Sequence, residues 1–270
     1  MNLNRIIEKK DEAAQYMVDS ITHICTKFEK RGPGDLGEKQ ACEYAAEQMK
    51  EYGCDRVYVE GFKENPNAFL GWIYITITCC FVALAGYFIQ PVISIVAIAV
   101  GLILCVLQFG LYKKVVDKLF KEKTGHNVAG FKKPTGEVKR RIIFNGHPDA
   151  TWEWPVNYAL GGVGFEGHAG FVILSALYFL AISIAKIVRS GLSFGVPDMS
   201  DPITKAGLIG LIFIPFVVGL YFMENYSRVV DGANDNLTGC YMGIAVLKAL
   251  KDEGIELENT EIGVVLTGSE

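Results

Sequence analysis

Three short segments carry the residues whose types and spacing could do chemistry. In Asn145-Gly146-His147-Pro148-Asp149, a histidine and an aspartate stand two positions apart, directly after an apolar run, Arg141-Ile142-Ile143-Phe144, that reads as a buried strand. A histidine there can ligate a metal while the aspartate orients its imidazole through the other ring nitrogen. The carboxyl end of a strand is also where α/β sheets bind their ligands. Asp231-Gly232-Ala233-Asn234-Asp235-Asn236-Leu237-Thr238-Gly239 is a glycine-bearing loop dense in oxygen ligands that leads into a helix. Thr267-Gly268-Ser269-Glu270 sets a carboxylate after another apolar run. Each segment alone has a plain structural reading. These are a turn histidine, a helix cap supplied by Asp235 or Asn236, and a solvated glutamate.

The elements that must position them form an α/β pattern. Asp35-Leu36-Gly37-Glu38 reads as a capping box opening a helix that runs to about Tyr52, with Gly53 as its stop signal. Arg56 to Phe62 alternates like a strand. A Pro134-Thr135-Gly136 turn precedes the Arg141–Phe144 strand, Leu237 to Leu250 is helical with Gly254 after it, and Glu261 to Leu266 is a further strand. Helix, strand, strand, helix, strand is an α/β order.

Taken in that order, strand-HxD, GAxDxxTG-helix and strand-TGSE, the segments resemble metallopeptidase family 28, the di-zinc aminopeptidases of the bacterial leucyl aminopeptidase and aminopeptidase Y type. The resemblance extends upstream. Arg31-Gly32-Pro33-Gly34 is similar to the family's arginine and glycine-bearing turn before its first helix, and Gly125-His126-Asn127-Val128 to the strand before its HxD strand. The resemblance implies a zinc-exopeptidase-like sheet flanked by helices, and a peptide substrate. It makes His147 a terminal zinc ligand and Asp235 the carboxylate bridging two Zn2+ ions. Asp149 would orient His147, and Glu270 would be the general base; Asn127 and Arg31 fall on structural positions. The oxygen and nitrogen donors also admit cobalt or manganese. The family's second glutamate would follow Glu270 directly, with an aspartate and a histidine further on. The chain thus holds two of five expected ligands, and the expectation is the N-terminal part of a longer enzyme.

Composition changes the setting. Half of the 270 residues are hydrophobic and 21% are charged, below the roughly 25% usual for soluble domains. That excludes a disordered chain, a collagen and a disulfide miniprotein, and the net charge of −4 offers no footprint for nucleic acid. The apolar excess sits in three runs without Asp, Glu, Lys or Arg: Phe69 to Tyr112, Gly167 to Ala185 and Ala206 to Met223. A spanning helix takes about 20 apolar residues. The first run therefore holds two spans, turning at residues 86–91, and the others hold one each. The expected organisation is peptidase-like sequence at 1–68, 113–166 and 224–270. A first transmembrane hairpin occupies 69–112 and a second 167–223, the latter with a polar loop at 186–205.

Lys113, Lys114, Lys118, Lys121 and Lys123 flank the first hairpin, with Lys63 before it and Arg228 after the second, against Lys186, Arg189 and Lys205 on the other side. This asymmetry puts the α/β part on the cytoplasmic face of a multi-pass protein, expected in the plasma membrane. The lysine cluster reads first as this anchoring and second as a contact for anionic lipid. Seven cysteines, an odd number with no CxxC, support neither a disulfide framework nor a zinc knuckle. Gly162 to Gly167 is a literal GxGxxG, but no strand precedes it, which argues against a nucleotide site. Trp152 and Trp154 suit either an interfacial belt or the lining of a pocket for an apolar substrate side chain. Two functions stay open: a membrane-bound zinc aminopeptidase, and a catalytically inactive peptidase-like module for binding or assembly. A channel is disfavoured, because no span carries an intramembrane charge. Oligomeric state is not legible.

Overall fold

The helix Leu36–Glu51 shows how the sheet is covered. Ala41, Ala45 and Met49, with Cys42 and Ala46 beside them, recur at helical spacing and are all buried. The small side chains let the helix lie close on the sheet, and Met49 occupies the space a side chain at Gly130 would need. The capping box reads differently in the folded chain. Asp35 stands at the N-cap without a side-chain cap bond; its carboxylate pairs instead with Lys123 at 2.7 Å. Glu38, wholly buried, reaches past the box to accept the Gly34 N–H, and its other oxygen accepts the His126 N–H at 2.8 Å. A long-range strand contact has outcompeted the local box.

The computed structural model describes residues 4–192 and 196–269. Its contacts divide the chain into two units, one made of residues 1–66, 122–152 and 227–270, the other of 67–121 and 153–226. The first is a mixed α/β layer. Strands β1 (Arg56–Glu64), β2 (Lys123–Lys132) and β3 (Arg140–Gly146) join β6 (Thr260–Leu266) in the order β1-β2-β6-β3, while β4 (Trp152–Glu153) and β5 (Asn225–Val229) pair separately. Within the four-stranded sheet, only β3 and β6 run parallel. The helices Leu36–Glu51 and Thr238–Asp252 pack on the sheet, and Lys10–Lys27 packs on Thr238–Asp252. Their shared core holds Ile24, Met49, Tyr241, Ile244, Leu247, Val264 and Leu266. Each large side chain so buried contributes about 1.5–3 kcal/mol.

β6 is central and buried, as its apolar run suggested. Its Glu261 is held by Arg56 at 2.8 Å and by Arg141. Among the described residues β3 lies at the sheet edge, where its Ile-Ile-Phe run suggested a buried strand: Ile143 is 53% exposed, and Phe144 packs against Gly243 of the helix Thr238–Asp252. Both chain excursions out of this unit start and end on neighbouring residues. Glu64 and Lys123 are cross-strand partners, and Val230 N donates to the Thr151 carbonyl at 3.0 Å.

The second unit contains four helices long and apolar enough to cross a membrane: Ala68–Ile89, Pro91–Gly110, Pro155–Ser190 and Pro202–Phe222. The third starts twelve residues before the uncharged run, because Pro155 opens a helical turn that the run then extends. It is broken once, at Gly161, whose φ of 68° belongs to the left-handed region. The GxGxxG run lies inside this helix, which removes the strand-turn-helix setting a nucleotide loop requires. His168 is a packing residue; its Nε2 lies 2.8 Å from the Phe216 carbonyl, and its ring covers Gly219.

Candidate metal centre

Parallel pairing of β3 and β6 sets the site. Gly146 stands opposite Leu266, so the HxD and TGSE segments leave the sheet at the same edge. Thr267 N donates to the Gly146 carbonyl at 3.0 Å. On the other side of β6, Asn127 Oδ1 accepts the Gly268 N–H at 3.0 Å. Glu270, expected from the sequence resemblance to be the general base, lies outside the described residues.

His147 is mostly buried and sits between two carboxylates. Its Nδ1 is 3.3 Å from Asp149 Oδ1 and its Nε2 3.2 Å from Asp235 Oδ1. Asp149 is 3% exposed, whereas the Asp235 side chain is open to solvent. His147 and Asp235 are 88 positions apart in the chain. Asp235 is released for this contact by its neighbour. Asn236 Oδ1 accepts the Gly239 N–H at 3.1 Å at the start of the Thr238–Asp252 helix, so the capping bond falls on Asn236 and the Asp235 carboxylate faces His147.

Arg31 fastens the two loops together from beneath. It is 3% exposed. Its Nε donates to the Pro148 carbonyl at 2.6 Å, and one terminal nitrogen donates to the carbonyls of Asp231 at 2.7 Å and Gly232 at 3.1 Å. Its own carbonyl accepts the Ala150 N–H at 2.7 Å. Gly232 has a φ of 54°, and a side chain there would meet Ala150 and the guanidinium within 3 Å, so the loop depends on glycine at this point. Lys30 bonds the Asp231 carboxylate and holds it below the ordinary carboxylate range, aided by the Arg31 charge.

Glu38 is the residue that sequence reasoning missed, since its spacing assigns it to a cap. Burial pushes its carboxyl up to about 7, against the opposing pull of the His126 and Gly34 N–H groups; Asp149 adds to the rise. Nothing local in the sequence marks it, since its strand partner is 88 residues away.

The donors present suit a divalent metal. Two ligands at about 2.0–2.1 Å from a tetrahedral zinc lie roughly 3.3 Å apart, which is close to the His147–Asp235 separation of 3.2 Å. Among the described residues, no group of three or more His, Cys, Asp or Glu side chains forms a metal cluster. Trp152 is buried in the α/β unit. Trp154 belongs to the helical unit, where it stacks on Phe165 at 5.5 Å and 9°.

No protein-family model matches the chain, and no curated protein matches it. Among solved structures, it is similar to an aminopeptidase from Aneurinibacillus sp. strain AM-1, with 11% identity and a TM-score of 0.41. That alignment covers 94% of this chain and spans 62% of the length of the other.

Proposed function

We propose that this protein is a membrane-bound, zinc-dependent peptidase, an aminopeptidase that removes N-terminal residues from peptides. The observation that carries the reading is His147 held between Asp149 and Asp235 at the carboxyl edge of a mixed sheet. The order of the three motifs supports it.

His147 and Asp235 would hold the metal, with the Asp235 carboxylate shared between two ions in a complete site. Such a centre supplies a water of lowered pKa and a polarised scissile carbonyl. The chain's own residues do the rest. Asp149, whose Oδ1 lies 3.3 Å from His147 Nδ1, would orient the imidazole so that Nε2 faces Asp235. Glu270 takes the proton of the attacking water and delivers it to the leaving amine. The four apolar helices cross the plasma membrane, and the lysine distribution places the α/β unit on its cytoplasmic side.

The alternative is a catalytically inactive peptidase-like module for binding or assembly on a membrane anchor. Zinc content and chelator-sensitive hydrolysis of aminoacyl-nitroanilides by the purified full-length protein separate the two. Metal-dependent turnover, lost in Glu270→Gln with zinc retained, supports the peptidase. A zinc-free, inactive protein supports the module.

A further inference from the structure

The end of the second apolar helix is built in a way that neither the fold of the α/β unit nor the proposed chemistry requires. The helix ends at Gly110, and the chain reverses at Tyr112, in the left-handed region at φ 51°. The Lys113 N–H then returns to the Leu107 carbonyl at 2.8 Å. Gln108, in the last turn and 9% exposed, ties down the chain beyond that reversal. Its Oε1 accepts the N–H groups of Val115 at 2.9 Å and Val116 at 3.2 Å, and its Nε2 donates to Asp117 Oδ1 at 2.8 Å. Val116 is buried with Trp72 and Leu104. The Phe120 ring lies on Gly71, where any side chain would collide with it.

Pinned at Gln108, Val116 and Phe120, the segment turns its remaining side chains outward. Lys113, Lys114, Lys118 and Lys121 are exposed, and so are Leu111, Tyr112, Val115 and Leu119. Asp117 is the one acidic residue between 111 and 121, and Gln108 engages it. Phe69, Trp72 and Phe109 cluster at the same helix ends, with ring centroids 5.9 and 6.0 Å apart. Trp and Tyr are the usual markers of a membrane–water boundary, and Tyr112 stands exposed at this helix end. Four cations beside four exposed large apolar side chains suit a surface that is anionic outside and apolar just beneath.

We propose that residues 111–121 form a fixed basic collar that binds the head groups of anionic phospholipids around the second span. The proposal rests on the reading that the four helices cross a bilayer. Charge complementarity selects the lipid, and the Gln108 bonds make the lysines a positioned set where a free tail would be only a diffuse charge.

The test uses the full-length protein reconstituted into vesicles of phosphatidylcholine containing phosphatidylglycerol. Membrane residence is checked first by alkaline wash, and the lipid retained after mild detergent extraction is then weighed by mass spectrometry. Wild type is expected to keep phosphatidylglycerol at several-fold its vesicle proportion, and this enrichment falls as salt is raised. Lys113→Gln/Lys114→Gln/Lys118→Gln/Lys121→Gln is expected to retain the vesicle proportion, and the corresponding four arginine substitutions to keep the enrichment. Gln108→Leu leaves every lysine in place and is expected to lose a large part of it. A wild type without enrichment, or a glutamine variant with full enrichment, overturns the collar while leaving the membrane reading intact. Release of wild type by alkaline wash overturns both.

Discussion

Arg31 Nε donates to the main-chain oxygen of Pro148 at 2.6 Å, and this bond joins the segment before the first sheet helix to the middle residue of the HxD turn. Because the same guanidinium also holds the carbonyls of Asp231 and Gly232, one buried cation sets the spacing of His147 and Asp235 without touching either. Arg31→Ala leaves three carbonyls without their charged donor. It is expected to destabilise the α/β unit by roughly 2–5 kcal/mol. Arg31→Lys cannot reproduce the fork and is expected to weaken zinc binding about 10–100-fold while keeping most of the stability. Thermal unfolding and zinc titration of the detergent-solubilised protein read the two effects separately; unchanged zinc affinity in Arg31→Lys would contradict the positioning role.

The division of labour between Asp235 and Asn236 yields opposite phenotypes at adjacent positions. Asn236→Ala removes the bond to the Gly239 N–H and is expected to cost about 1 kcal/mol of stability, with zinc still bound. Asp235→Asn is expected to leave the melting temperature close to that of wild type and to abolish stoichiometric zinc. A reversal of that pattern would assign the cap to Asp235 and remove it from the metal centre.

Glu38 predicts an unusual pH dependence. Its folded carboxyl, at about 7 against an ordinary 4.5, binds a proton more tightly than it does in the unfolded chain. Its contribution is therefore full below about pH 4.5 and declines as pH rises toward 7, where the folded carboxyl ionises. Glu38→Gln keeps one acceptor for the two N–H groups, so it is expected to be less stable by about 1–3 kcal/mol. The slope between the two pKa values disappears with the carboxyl. Melting curves across that range decide it, and a slope of wild-type size in Glu38→Gln would rule the assignment out.

Sidedness is tested by proteolysis. Trypsin added outside intact cells is expected to cut at Lys186, Arg189 or Lys205, in the helix ends that flank the polar loop, and to spare the α/β unit. Cleavage confined to the α/β unit would invert the orientation.

Much of this arrangement was legible because it is local. The HxD turn follows an apolar strand, the acidic loop abuts a helix start, and uncharged runs of bilayer length declare themselves by composition alone. What stayed hidden depends on pairing across the chain. That β6 inserts between β2 and β3 is not written in any of the three strands, and without it Ile143 reads as core when it lies on an edge. The fate of Glu38 turned on the same point, since a capping box is a local preference worth little beside two buried N–H groups, one of them on a strand 88 residues away. Asp235 and Asn236 were equally good caps by type, and only the folded loop distributes their roles.

The pairing of Glu64 with Lys123, and the bond from Val230 to Thr151, mean that each pair of apolar helices leaves the α/β unit and returns to it between neighbouring residues, as a short surface turn would. The sheet runs up to the insertion point and resumes beside it, as though a short turn had been exchanged for a pair of spans. Closing a loop costs entropy that grows only with the logarithm of its length, so such grafts weigh little on the domain that receives them.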